Sequence, residues 1–316
     1  MTISRPSPVP TASLDVGLRG QIGPLLQAMR PEQWTKNLLV FAGLIFAGRL
    51  FDLDATARAF AGFAIFCGLS AAVYLLNDIL DHNVDRQHPL KRSRPVASGE
   101  LSVATALSTA VVLGTASLAG ALALGPQFAL TAFAYLALFV VYSVALKHVV
   151  IVDVLTIAAG FVLRSIAGAV VLSVPFSSWL LVCSTLLALF LALSKRRHEL
   201  TLLGETAIGH RRILQEYSPY LLDQMISVVT ASTLIAYSVY ATSADTAARL
   251  GTTRLGLTIP FVLYGIFRYL YLVHQKSGGG SPSALLLTDR SLLTCVALWT
   301  ASVVLLLYSP LGKWSP

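Results

Sequence analysis

Residues 59–76 read AFAGFAIFCGLSAAVYLL, and residues 77–99 continue directly with NDILDHNVDRQHPLKRSRPVASG. The first run could lie in the middle of a membrane. The second opens with an Asn and three Asp and then turns basic, far more charge than a plain membrane loop needs. An apolar helix that carries a polar face out of the bilayer accounts for both halves.

The rest of the chain agrees with a membrane setting. Its 316 residues are 55% hydrophobic and 12% charged, with a mean hydropathy of +0.72, well outside soluble composition. Apolar stretches long enough for a ~30 Å hydrocarbon core recur near residues 37–51, 59–77, 102–122, 127–145, 151–172, 178–194, 223–241, 255–273 and 291–308. They predict an all-α polytopic protein with nine transmembrane helices, the first of them short. Residues 1–29 carry Pro, Ser and Arg without a continuous apolar core, so they read as a mobile cytosolic tail and not as a secretory signal peptide. Residues 30–316 read as one transmembrane domain.

Lys and Arg between spans orient such a protein, because positive loops stay inside. With the N terminus inside, sixteen basic residues fall on inner segments and five on outer ones, with Arg164 and Arg268 inside spans. The polar loops 2–3, 4–5 and 6–7 then share the cytosolic face of a cell membrane, and chemistry is expected there. Cys67, Cys183 and Cys295 each sit in an apolar span and read as small packing residues.

On a continuing helix Asn77, Asp81 and Asp85 recur every four residues, and Asp78 lies three before Asp81, so all four share one face. Carboxylates so placed repel each other unless a cation lies between them. Oxygen ligands alone suit Mg²⁺, which takes one or two carboxylates and completes its shell with water and substrate phosphates. A solvated helix end balanced by Arg86 and Lys91 is the plainer alternative. His82 and His88 read as surface residues.

Lys91 and Arg94 follow within a few residues, and a metal face beside a basic strip is what a diphosphate needs. The positive-inside rule alone would also put basic residues there. Further candidates for phosphate oxygens are Lys36 at the inner mouth of the first span, Tyr142 and Lys147 in loop 4–5, and Lys195, Arg196 and Arg197 in loop 6–7. That last loop is longer than a bare connection needs and could cap a cavity. Arg164, deep in its span, either lines a polar cavity or pairs within the bundle.

The nine-helix layout with NDILDHNVD after the second span resembles the UbiA superfamily of intramembrane prenyltransferases, whose first motif is Asn-Asp-x-x-Asp-x-x-x-Asp. The resemblance runs from about residue 28 onward. Where most of that family has a second acidic pair, this chain has SKRRHEL. With RPEQWTKNLLVFAG and YSVALKHVVIVDV, this departure makes it look like the decaprenyl-phosphate phosphoribosyltransferase branch.

That branch implies an Mg²⁺-dependent transfer of 5-phosphoribose from phosphoribosyl diphosphate to a polyprenyl phosphate, making precursors of cell-wall arabinan. Asp78, Asp81 and Asp85 would be the catalytic acids. The implied partners are these two substrates and the lipid bilayer, not nucleic acid, with a homo-oligomer left open. The runner-up is a prenyl transferase using a prenyl diphosphate. A cation-coupled transporter fits poorly, because nearly all polar groups gather on one face.

Overall fold

The computed structural model describes residues 18–89, 91–175, 177–203, 215–276 and 280–309. Every regular element among them is helical. In chain order these are α1 (Ile22–Met29), α2 (Val40–Phe46), α3 (Leu53–Asp85), α4 (Pro95–Ser98), α5 (Val103–Leu124), α6 (Pro126–Val144) and α7 (Val152–Val171). They are followed by α8 (Ser178–Leu203), α9 (Pro219–Thr242), α10 (Ala244–Leu250), α11 (Ile259–Gln275), α12 (Pro282–Thr288) and α13 (Arg290–Tyr308).

Eight described helices are long and apolar enough to cross a membrane, so the chain is a multispan membrane protein. The ninth expected span, near 37–51, takes a different form. A 3₁₀ stretch over Pro31–Leu39 runs into the short α2. Gly48, at φ 71°, then turns the chain in a left-handed conformation that suits glycine. The expected tail is also shorter than read, because α1 buries Ala28 in a cluster with Leu75, Val96 and Leu101. Residues 1–17 lie outside the described residues.

Side-chain caps mark where the helices begin. Asp52, Ser102, Ser218, Ser243, Ser281 and Asp289 each accept a backbone N–H of the first turn, an interaction typically contributing about 1 kcal/mol. The 33 residues of α3 give a rod of about 50 Å at ~1.5 Å per residue, well over the ~30 Å apolar thickness. Its last turns therefore carry Asn77 to Asp85 beyond the apolar layer. This surplus length displays the acids.

Small residues set how closely the helices approach. A Cβ on Gly168 would lie 2.1 Å from the Val40 carbonyl oxygen, and one on Gly43 would lie 2.5 Å from the Gly168 oxygen. Only glycine at both positions lets α2 lie against α7, as expected where backbones touch inside a membrane. One apolar core, with Phe66, Leu69, Phe128, Tyr135 and Val171, joins α2, α3, α6 and α7. A second, with Phe190, Leu193, Leu222, Ile226 and Tyr269, joins α8, α9 and α11. Between them a cavity of about 1280 Å³ runs from the acids of α3 to Tyr237 and Trp299.

Candidate active site

The α3 acids stand at one end of this cavity, and each meets a cation from another segment. Asp78 is 1% exposed and accepts from Arg30 and, at 3.2 Å, from Arg94 Nη1. The same Arg94 nitrogen donates to Asp85 Oδ2 at 2.6 Å. Lys147 Nζ donates to Asp81 Oδ1 at 2.6 Å, while Asn77 Nδ2 donates to Asp81 Oδ2 at 3.1 Å. The four residues thus share one cluster, and the burial of Asp78 and Asp85 rules out a solvated helix end.

Arg30 was not among the sequence candidates. It ends α1 in a left-handed conformation, φ 53°, costly for a residue with a side chain. That turn brings its guanidinium to Asp78 and over the Tyr74 ring, 5.1 Å from the centroid. His88, read as a surface residue, is buried and lines the cavity.

Among the described residues no three His, Cys, Asp or Glu gather closely enough to hold a metal ion. Mg²⁺ does not need three, since one or two carboxylates with substrate phosphates suffice. One buried acceptor is open, because Asp78 Oδ2 has no hydrogen-bond partner, a situation that costs about 1–3 kcal/mol. A purely oxygen donor set with an orphaned carboxylate oxygen fits Mg²⁺. Here the cation between Asp78 and Asp85 is the Arg94 guanidinium.

The basic run at the end of α8 divides. Lys195 and Arg196 line the cavity, whereas Arg197 pairs with Asp223 beside a second, lateral groove that also holds His274. Arg196 is fully engaged by acids: its Nε donates to Asp153 Oδ2 at 2.7 Å and its Nη1 to Glu199 Oε2 at 2.5 Å. Its Nη2 reaches the Tyr142 hydroxyl at 3.4 Å. Tyr217 donates to Asp153 at 3.0 Å and accepts from the Ile151 N–H at 2.7 Å. Burial pushes the Tyr217 hydroxyl up to about 12, and Asp153 adds to the effect. Glu205, Arg211 and Arg212 of this loop lie outside the described residues.

Farther along the cavity Arg164 is 3% exposed. It donates to Asn37 Oδ1 at 2.6 Å, the Tyr135 hydroxyl at 2.6 Å and the Gly160 carbonyl at 2.9 Å. Tyr135 and Phe161 face its guanidinium at 4.7 and 5.4 Å. Both sequence readings of Arg164 hold, since it lines the cavity and is held within the bundle. Lys36, in the 3₁₀ stretch ahead of α2, also lines the cavity. Withdrawal from bulk water pulls its ammonium down to about 7, helped by the charges of Arg164 and Arg30 and opposed by Glu32.

Known proteins place this arrangement in context. The model of the UbiA prenyltransferase family matches residues 37–291. A decaprenyl-phosphate phosphoribosyltransferase of Mycolicibacterium smegmatis is 33% identical over 297 residues, covering 90% of this chain and 92% of that protein. One from Mycobacterium tuberculosis is 34% identical over 285 residues, covering 88% and 92%. In fold, the chain is similar to a UbiA homolog from Archaeoglobus fulgidus bound to GPP and Mg²⁺. The TM-score is 0.67 at 19% identity, over 89% of this chain and 99% of that one.

Proposed function

The chain belongs to the UbiA prenyltransferase family, and on that premise we propose that it transfers the 5-phosphoribosyl group of phosphoribosyl diphosphate to a polyprenyl phosphate, releasing diphosphate. The observation that carries this reading is the likeness to two decaprenyl-phosphate phosphoribosyltransferases at 33% and 34% identity over about nine tenths of the chain. The cavity supports it through its charge. Cations from four segments, Arg30, Arg94, Lys147 and Arg196, converge on it.

The reaction is a displacement at the anomeric carbon. An oxygen of the lipid phosphate forms the new bond to C1, the bond from C1 to the diphosphate oxygen breaks, and diphosphate leaves with the electron pair. A phosphate monoester with a second pKa near 6 is largely ionised at pH 7, so no general base is needed. Positioning and charge neutralisation then carry the catalysis. Mg²⁺, held by Asn77, Asp78, Asp81 and Asp85, would supply positive charge to the departing diphosphate.

Lys91, Arg94, Lys147 and Lys195 line the cavity near these acids and would hold diphosphate oxygens as they arrive. Arg196 keeps Tyr142 and Glu199 in place around them. The polyprenyl chain would lie along the apolar wall toward Tyr237 and Trp299, with the reacting end facing the cytosol of a cell membrane.

Purified protein in detergent, given labelled phosphoribosyl diphosphate and polyprenyl phosphate, should yield a labelled lipid. A lipid product formed only from a prenyl diphosphate would replace this reading with a prenyl transfer. The UbiA homolog from Archaeoglobus fulgidus that shares the fold is bound to GPP, which keeps that alternative specific.

A further inference from the structure

Charge around the cavity is not evenly balanced. Arg30 and Arg94 meet Asp78 and Asp85, Lys147 meets Asp81, and Lys195 and Arg196 meet Glu199. At rest these cations are neutralised by acids. Lys36 and Arg164 differ, since neither forms an ion pair with a carboxylate among the described residues. Arg164 is held by three neutral oxygens and by aromatic faces. The Lys36 ammonium has no hydrogen-bond partner among the described residues, and it feels the charges of Arg164 and Arg30, opposed by Glu32.

A cation inside a membrane costs several kcal/mol unless it faces a cavity or a partner. Arg164 is such a cation, and Lys36, ahead of the spans, adds a second positive charge on the same cavity wall; the two repel each other, a cost that an arriving anion would relieve. Arg164 stands at a level separate from that of the acids, and Lys36, which feels both Arg164 and the Arg30 that meets Asp78, joins the two levels. Asn37, which accepts from Arg164, is also reached by Ser70, and Ser70 precedes Asp78 by two turns of α3, about 12 Å at ~1.5 Å per residue. An anion there would lie beyond a diphosphate held at Asp81 and Asp85.

We propose that Lys36 and Arg164 form a binding site for a phosphate monoester, deeper in the cavity than the acid cluster. This rests on reading the cavity as the place of phosphoribosyl transfer, a reaction that brings in two monoesters, the donor's 5-phosphate and the lipid phosphate. Both are dianions near neutral pH and match two positive charges. Arg164 has five N–H donors, three of them on protein oxygens, which leaves two for a phosphate.

The test uses the full-length protein in nanodiscs and the variants Lys36→Met, Lys36→Arg and Arg164→Gln. Binding of ribose 5-phosphate, of farnesyl phosphate and of Mg-diphosphate is measured directly, beside the KM of each substrate. Lys36→Met should weaken one monoester by about 10- to 100-fold, the range expected for a lost charged hydrogen bond, and leave Mg-diphosphate binding within twofold. Lys36→Arg should restore most of it.

Loss confined to ribose 5-phosphate and donor KM assigns the site to the donor, and loss confined to farnesyl phosphate and acceptor KM assigns it to the lipid. Should Arg164→Gln fail to fold, the Lys36 pair decides alone. Unchanged binding of both monoesters in Lys36→Met, or equal weakening of Mg-diphosphate, overturns the proposal. Wild-type protein that binds a monoester through Lys36 but makes no phosphoribosyl lipid would instead overturn the proposed reaction and leave the site standing.

Discussion

Arg196 Nε donates to Asp153 Oδ2 at 2.7 Å, with both side chains sealed from solvent at 2% and 0% exposure. The pair ties the end of α8 to the start of α7, and Tyr217 closes the same knot by bridging Asp153 and the Ile151 N–H. Ile151 has φ 68°, which a β-branched residue adopts only when its surroundings hold it. The knot therefore braces the short turn that presents Lys147 to Asp81.

Removing one partner of a buried pair strands the other. Arg196→Ala should lower stability by about 3–5 kcal/mol, read as a large drop in thermal midpoint in detergent. The donor KM of whatever protein survives should move little compared with kcat. A stable variant with only a raised donor KM would return Arg196 to phosphate binding.

Asp81 lines the cavity, while Asp78 is buried behind the Arg30 and Arg94 contacts. Asp81→Ala, and separately Asp78→Asn, should reduce turnover by about 100-fold or more with the protein still inserted in the membrane. Full activity in either variant would remove that residue from the chemistry.

The acid face was legible in the sequence because its spacing is local. Asn77, Asp81 and Asp85 fall on one helical stripe whatever the tertiary structure. Their counter-ions were not legible. Arg30 comes from 48 residues before Asp78 and Lys147 from 66 residues after Asp81. The run SKRRHEL suggested three equivalent phosphate ligands, yet helical geometry sends Arg197 away toward Asp223 and Asp153 captures Arg196. Arg164 did carry a signal, since an arginine inside an apolar span needs a reason. The first span broke because a 3₁₀ stretch runs to Leu39 and Gly48 turns the chain, which a hydropathy window averages away.

Lys36 adds a pH signature. Its ammonium sits down at about 7, and an anion placed beside it would favour the charged form. At pH 8 the free protein is then largely deprotonated there, and binding of the phosphate monoester that the site takes, ribose 5-phosphate or farnesyl phosphate, should take up a proton. Affinity for that monoester should accordingly fall as pH rises above 7. Calorimetry at pH 8 in buffers of different ionisation enthalpy measures the uptake, which should vanish in Lys36→Met. No uptake in the wild type would contradict the assignment.

The contact of α2 with α7 makes a separate prediction about stability. Gly168→Ala puts a methyl group 2.1 Å from the Val40 oxygen, where backbone must move to make room. A loss of about 1–3 kcal/mol follows, seen as a lower thermal midpoint, while Gly23→Ala, which meets nothing within 4 Å, should be near neutral. Equal midpoints for the two variants would count against this packing.

The most direct measurement is product formation by purified protein stripped with excess chelator and then titrated with Mg²⁺. If the oxygens at the end of α3 hold a divalent ion that steadies the departing diphosphate, activity should vanish with chelator and return with Mg²⁺ in the wild type, with a far higher Mg²⁺ requirement in Asp85→Asn. Undiminished synthesis in chelator would contradict the account at its centre.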